Sequence, residues 1–164
     1  MISVQMLVVD EAAMLKFGQY LAVALKGHGS VFIYGQLGAG KTTLCRGILR
    51  AMGHSGAVKS PTFTLVEPYS VGGCEVFHFD LYRLSDPSEL EYIGIDEYFG
   101  EAKLCLVEWP QKGGDRLPAQ DLEISIDVLG EKRNICVQAR SLHGEAICQA
   151  IQLLRSQIEN VASE

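Results

Sequence analysis

Val31-Phe-Ile-Tyr-Gly-Gln-Leu-Gly-Ala-Gly-Lys-Thr-Thr-Leu-Cys45 is the stretch that decides the fold. Its first four residues are apolar, β-branched or aromatic, which suits a buried strand. Residues 35–42 then carry the spacing Gly-x-x-x-x-Gly-Lys-Thr of a phosphate-binding loop. Gly35, Gly38 and Gly40 let the backbone turn its N–H groups, those of Leu37 and Ala39 included, toward phosphate oxygens at the start of a helix. Lys41 is placed to reach the β and γ phosphates, and the Thr42 hydroxyl to hold Mg²⁺. Helical periodicity runs from Lys41 to Met52, with Gly53 as the stop. A strand, a glycine loop and a helix in this order predict an α/β fold that binds a nucleoside triphosphate.

Outward from this unit the chain continues the α/β pattern. Upstream, residues 5–9 read as a strand, and Asp10 caps a helix whose apolar residues Met14, Phe17, Leu21 and Leu25 share one face. Downstream, residues 63–69 and 76–80 read as strands joined by Ser70-Val-Gly-Gly73, a hairpin signal. Asp86-Pro87-Ser88-Glu89 predicts a short helix toward Ile93, ended by Gly94. Residues 103–108, 122–128 and 135–139 read as further strands, and residues 145–158 as a final helix before a polar end. The expectation is one domain over residues 1–164, a P-loop NTPase-like three-layer fold with a mixed parallel and antiparallel central sheet.

Composition narrows the function. At 164 residues and 48% hydrophobic composition, the chain can bury roughly 70% of its unfolded surface as one domain. It has no secretory start and no apolar run near the roughly 18 residues of a membrane span, so a cytoplasmic protein without a membrane partner is expected. The five cysteines are scattered, without Cys-x-x-Cys or zinc spacing, and read as reduced, packed thiols. A net charge of −6 argues against direct grip on nucleic acid.

A P-loop also needs an acid on the metal side, usually at the end of a neighbouring buried strand. Two strands end in acids: Phe77-His-Phe-Asp80 and Leu104-Cys-Leu-Val-Glu108. Glu108 is the stronger metal candidate because its strand is the more uniformly apolar. Thr62, in the loop after the P-loop helix, is placed either as a hydroxyl that senses the γ-phosphate or as a turn-former in Ser60-Pro-Thr62. Trp109 stands either at the lip of the site or in packing. His78 reads as a packed, hydrogen-bonded core residue, since metal-ligand spacing around it is absent.

Five blocks in order carry a more specific signal: Gly35-Gln-Leu-Gly-Ala-Gly-Lys-Thr-Thr43, Lys59-Ser-Pro-Thr-Phe-Thr-Leu-Val-Glu67, His78-Phe-Asp-Leu-Tyr-Arg-Leu84, Glu89-Leu-Glu-Tyr-Ile-Gly94 and Leu106-Val-Glu-Trp-Pro110. Together they closely resemble the bacterial TsaE family, also called YjeE, from about Asp10 to Ala139. The resemblance implies a small ATPase that uses ATP and Mg²⁺ in the making of threonylcarbamoyladenosine in tRNA. It implies TsaB and TsaD as partners that carry out the transfer, with hydrolysis by this chain supporting repeated turnover and tRNA met only through the complex. Carried over by position, Lys41 and Thr43 would hold phosphates, and Thr42 and Glu108 would serve Mg²⁺. Thr62 would be the switch threonine, Asp80 the acid near the γ-phosphate and attacking water, and Trp109 a tryptophan beside the site. The nucleotide base is expected near Glu11 and near the turn bearing Lys132 and Arg133. One departure stands inside the loop: position 36, commonly Asp in the family, is Gln36.

Other classes fit less well. A GTPase needs an Asn-Lys-x-Asp guanine reader, and Asn134 and Asn160 are followed by Ile and Val. A small-molecule kinase needs several arginines about the transferred phosphoryl group, for which Arg83 and Arg116 are thin support. A nucleotide-gated interaction module, in which ATP binding rather than hydrolysis controls assembly, is the competing non-enzymatic expectation.

Overall fold

In a computed structural model, which describes residues 2–162, seven strands form one mixed sheet. They are β1 (Ser3–Val8), β2 (Gly29–Tyr34), β3 (Val66–Val71), β4 (Cys74–Asp80), β5 (Lys103–Glu108), β6 (Leu122–Leu129) and β7 (Lys132–Ala139), in the order β1-β7-β6-β2-β5-β4-β3. β2 lies parallel to both of its neighbours, β5 and β6, and β5 is also parallel to β4. The outer pairings β1·β7, β6·β7 and β3·β4 are antiparallel. The expected α/β class with a mixed sheet is therefore what the chain adopts.

Strand alternation sorts the apolar residues into two layers. Val31 and Ile33 of β2, with Leu104 and Leu106 of β5, face one cluster, which also contains Phe17, Leu21, Leu44, Ile48 and Ile151. That side carries the helices α1 (Glu11–Leu25), α2 (Lys41–Ala51) and α5 (Leu142–Ala162). Phe32, Phe79, Cys105 and Val107 face the other cluster, closed by Leu81, Leu84, Leu90 and Ile95. The last two belong to short helices, α3 (Glu89–Tyr92) and α4 (Ile95–Tyr98).

The core position of α2 depends on a close helix crossing. A Cβ on Gly18 would stand 2.9 Å from the backbone of Gly47, and one on Gly47 would stand 2.8 Å from the Leu15 carbonyl. Two glycines thus let α1 and α2 touch backbone to backbone, which holds the P-loop helix against the sheet.

Several element boundaries differ from expectation. The strand expected at residues 63–69 starts at Val66, because a turn closed by the Leu65 N–H on the Pro61 carbonyl, at 2.8 Å, takes up the preceding backbone. Leu65 sits there at φ +68°, and Phe63 is left 82% exposed. The hairpin after β3 turns on Gly72 and Gly73, both at positive φ, as a tight hairpin of this twist requires. Asp86 accepts from the Ser88 N–H at 2.9 Å, so it closes a turn before α3, whose first residue is Glu89. β7 starts at polar Lys132, where pairing of Arg133 with Val8 of β1 supplies the order that local composition does not. The final helix is longer than expected at both ends and takes in most of the polar tail; Ser163 and Glu164 of that tail lie outside the described residues.

Candidate active site

The parallel strands β2, β4 and β5 end at Tyr34, Asp80 and Glu108, on one edge of the sheet. An open α/β sheet places its ligand crevice there, beyond the carboxyl ends of strands that diverge to either side. The P-loop leaves β2 at this edge and enters α2. Gly38 and Gly40 take φ +79° and +109°, where side chains are strained. Gly35 is needed for space, since a Cβ there would stand 3.0 Å from both Ala39 Cβ and the Ile126 carbonyl.

A cavity of about 340 Å³ opens over the loop and is lined by residues that include Lys41, Thr42, Thr43, Thr62, Asp80, Glu108 and Trp109. Thr42 Oγ1 donates to the Glu108 carboxylate, at 2.9 Å from Oε2 and 3.1 Å from Oε1. Thr62 Oγ1 donates to Asp80 Oδ2 at 3.1 Å, Ser60 Oγ donates to the same oxygen, and the Tyr82 N–H donates to Oδ1 at 2.9 Å. Lys41, Asp80 and Glu108 are only 5%, 4% and 2% exposed, so three charges are concentrated at the cavity floor. Burial pushes the Lys41 ammonium below the usual lysine value, and the carboxylates of Glu108 and Asp80 pull it back up.

Lys41 Nζ donates to the carbonyls of Gly35 at 2.5 Å and Gln36 at 2.9 Å, and lies 4.5 Å from the centre of the Trp109 ring. Trp109 reaches this position from a left-handed backbone, φ +57°, immediately before Pro110. Gln36 contributes its carbonyl, which any residue would supply; its side chain is exposed and is not among those lining the cavity. The departure from Asp at position 36 therefore leaves this anchoring of Lys41 intact.

A second cavity, of about 180 Å³, shares Gly38, Gly40 and Thr43 with the first and reaches toward Asp10, Glu11, Met14, Ala39, Glu131 and Arg133. Arg133 uses its guanidinium mainly on backbone: Nε donates to the Ala39 carbonyl at 3.0 Å and Nη2 to that of Gly38 at 3.3 Å. It acts as a brace on the loop. Lys132 is exposed and lines neither cavity, because neighbouring residues of a strand point to opposite faces. Of the expected pair, Arg133 lines this cavity and Lys132 lies outside it.

Sequence reasoning missed Ser60, Tyr82 and the partner of His78. Ser60 had a signal, a hydroxyl two residues before Thr62. His78 had one as well, since it and Asp80 are two apart on β4 and face the same side. His78 Nε2 lies 2.6 Å from Glu108 Oε2, both side chains being buried. Cys45, from α2, completes a trio whose ligand atoms lie within 4.8 Å of one another. Burial, with the charges of Glu108 and Asp80, pushes the Cys45 thiol well above its ordinary value. A cysteine sulfur is a soft donor, of the kind that takes soft metals as its thiolate. The oxygens of Thr42 and Glu108 are instead hard donors of the kind that suit Mg²⁺.

The family described as Threonylcarbamoyl adenosine biosynthesis protein TsaE matches residues 8–135. This chain belongs to the TsaE family. A relative from Haemophilus influenzae, named tRNA threonylcarbamoyladenosine biosynthesis protein TsaE, is 49% identical over 146 residues, or 86% of this chain and 92% of the relative. A Bacillus subtilis protein of the same name is 38% identical over 133 residues, covering 80% of this chain and 83% of its own. The crystal structure of Bacillus subtilis YdiB superposes with a TM-score of 0.79 at 28% identity, over 94% of this chain and 97% of that one. The TsaE match includes every residue of the larger cavity. No helix of the described residues is long and apolar enough to cross a membrane.

Proposed function

We propose that this TsaE-family chain is a cytoplasmic, Mg²⁺-dependent ATPase, built as one P-loop domain, that serves threonylcarbamoyladenosine modification of tRNA. The observation that carries the proposal is the convergence of Lys41, Thr42, Asp80 and Glu108 on one cavity at the carboxyl edge of the sheet. The names of the relatives supply the pathway. In this reading the loop amides and Lys41 bind the β and γ phosphates, and Lys41 leaves the two carbonyls that now hold it. Thr42 and Glu108 are the residues that would hold Mg²⁺, which supplies charge neutralisation at the phosphates. Asp80, an acceptor fixed by Ser60, Thr62 and the Tyr82 amide, orients the attacking water and takes its proton. Thr43 lines both cavities and links the phosphate end to the base end. The carboxylates of Asp10 and Glu11 suit the exocyclic amino group of adenine, which donates.

Transfer of the threonylcarbamoyl group belongs to TsaB and TsaD in this proposal, and tRNA is met through them, in keeping with the net charge of −6. The test is phosphate release from ATP by the purified chain, alone and with TsaB and TsaD, against Lys41→Ala. Release above that control is expected, rising with the partners; no release in either setting overturns the proposal. The tether of the Ser60 and Thr62 hydroxyls to Asp80 also favours a second reading, in which nucleotide binding rearranges this loop to gate a partner. Asp80→Asn separates the two. If it keeps ATP affinity and still sustains multiple rounds of modification, gating is sufficient.

A further inference from the structure

His78 is buried beneath the P-loop helix with none of its surface exposed, yet only one of its ring nitrogens has a partner. Nε2 lies 2.6 Å from Glu108 Oε2, and Nδ1 finds no hydrogen-bond partner among the described residues. A carboxylate oxygen accepts, so Nε2–H is the donor in this pair, while Nδ1 is left without a partner among the described residues. Leaving a buried nitrogen unpaired is unfavourable, and an apolar residue would fill the same space without it. What the imidazole adds is one donor, aimed at one oxygen of the acid that also faces Thr42.

The sheet explains the aim. On β4 and β5, Asp80 is the register partner of Glu108, and His78 is the partner of Leu106. His78 is thus the diagonal neighbour of Glu108 on the face that α2 covers, close enough for a ring to reach across. Glu108 has three side-chain torsions and, among the described residues, its carboxylate would otherwise accept a hydrogen bond only from Thr42, the residue whose hydroxyl must be free to serve a cation. A bond from behind fixes the carboxylate without occupying the front of the site.

We infer that His78 is a positioning residue, whose Nε2–H locks the Glu108 carboxylate in the orientation that Mg²⁺–nucleotide binding uses. The inference rests on the proposed Mg²⁺ reading of the site. Outer hydrogen bonds to metal-ligating groups typically alter metal affinity by about 10–100-fold when removed. Loss of the His78 donor should therefore raise the Mg²⁺ concentration for half-maximal ATP binding by at least about tenfold. ATP binding measured in EDTA, which depends on Lys41 and the loop amides, should change less than about twofold by the same division of roles.

The experiment follows ATP binding to the full-length chain by Trp109 fluorescence during Mg²⁺ titration. It compares wild type, His78→Leu, His78→Gln, Glu108→Gln and the double variant His78→Leu/Glu108→Gln. His78→Gln, whose amide N–H reaches the place of Nε2, is expected to recover most of the Mg²⁺ response that His78→Leu loses. In the Glu108→Gln background, His78→Leu should add no further shift, since the residue acts through that carboxylate. If His78→Leu does not fold, His78→Asn replaces it, because its shorter amide cannot reach Oε2. A Mg²⁺ midpoint unchanged by loss of the donor, equal losses with and without metal, or a full additional shift in the Glu108→Gln background each overturns the inference. Wild-type binding that ignores Mg²⁺ removes the Mg²⁺ reading and this inference together, whereas wild-type dependence retained in His78→Leu removes this inference alone.

Discussion

Raising the pH from 8 to 10 should weaken this fold through its buried thiols, and Cys105 offers the sharpest measure. Its side chain is 1% exposed, packs in the layer of Phe32, Phe79 and Val107, and donates to the Tyr98 carbonyl at 3.1 Å. Burial pushes this thiol from an ordinary 9.0 up to about 12. The unfolded chain gives up the proton near pH 9 while the folded chain keeps it, so the stabilisation is whole below pH 9 and is lost as the pH rises toward 12. From pH 8 to 10 the unfolded thiol gains about one pH unit of ionisation free energy, which is about 1.4 kcal/mol. Cys105→Ala removes the titrating group and leaves a small cavity, whose cost is the same at both pH values. Urea unfolding under reducing conditions, extrapolated to water, should show a pH 8 to 10 loss smaller in Cys105→Ala than in wild type by about 1.4 kcal/mol. Equal losses in the two proteins would refute the idea that burial holds this proton.

The brace and the helix crossing make separate predictions. Arg133→Ala removes the donors to the Gly38 and Ala39 carbonyls, and the loosened loop should bind ATP about tenfold more weakly, or about 1.4 kcal/mol, with the circular dichroism spectrum unchanged. Titration calorimetry checks it, and wild-type affinity would count against the brace. Gly47→Ala places a methyl against the Leu15 carbonyl and should cost about 1–3 kcal/mol of stability, seen as a Tm lowered by several degrees.

Legibility in the sequence followed the range of the interaction. The P-loop is contiguous, so Gly35 to Thr43 could be read as one device, and Asp80 and Glu108 stood out as acids closing apolar strands. Thr62 and Trp109 both line the cavity, while Thr62 also stands in the turn that the Leu65 N–H closes on Pro61 and Trp109 also packs against the second apolar layer. Arg133 was placed near the ligand without its use being visible, because its partners lie 94 and 95 residues away in the chain. His78 read as a bonded core residue, which it is; that its partner is Glu108 depends on strand order, and no local pattern carries that order. Lys132 lies outside both cavities because it alternates with Arg133 along β7. Residues 63–65 differ for another reason: Phe63 and Leu65, apolar and alternating about Thr64, imitate a strand where the backbone is committed to a turn.

Asp80 and Glu108 are partners on a single rung of the parallel β4·β5 ladder. Their separation is thus dictated by interstrand spacing, about 4.8 Å, and does not depend on the loops that follow them. Those loops can lengthen, shorten or open while the two acids keep their footing. Deleting one residue from the middle of either strand would instead turn that strand's acid to the opposite side of the sheet. The site is tolerant of change in its walls and intolerant of a miscount in its floor.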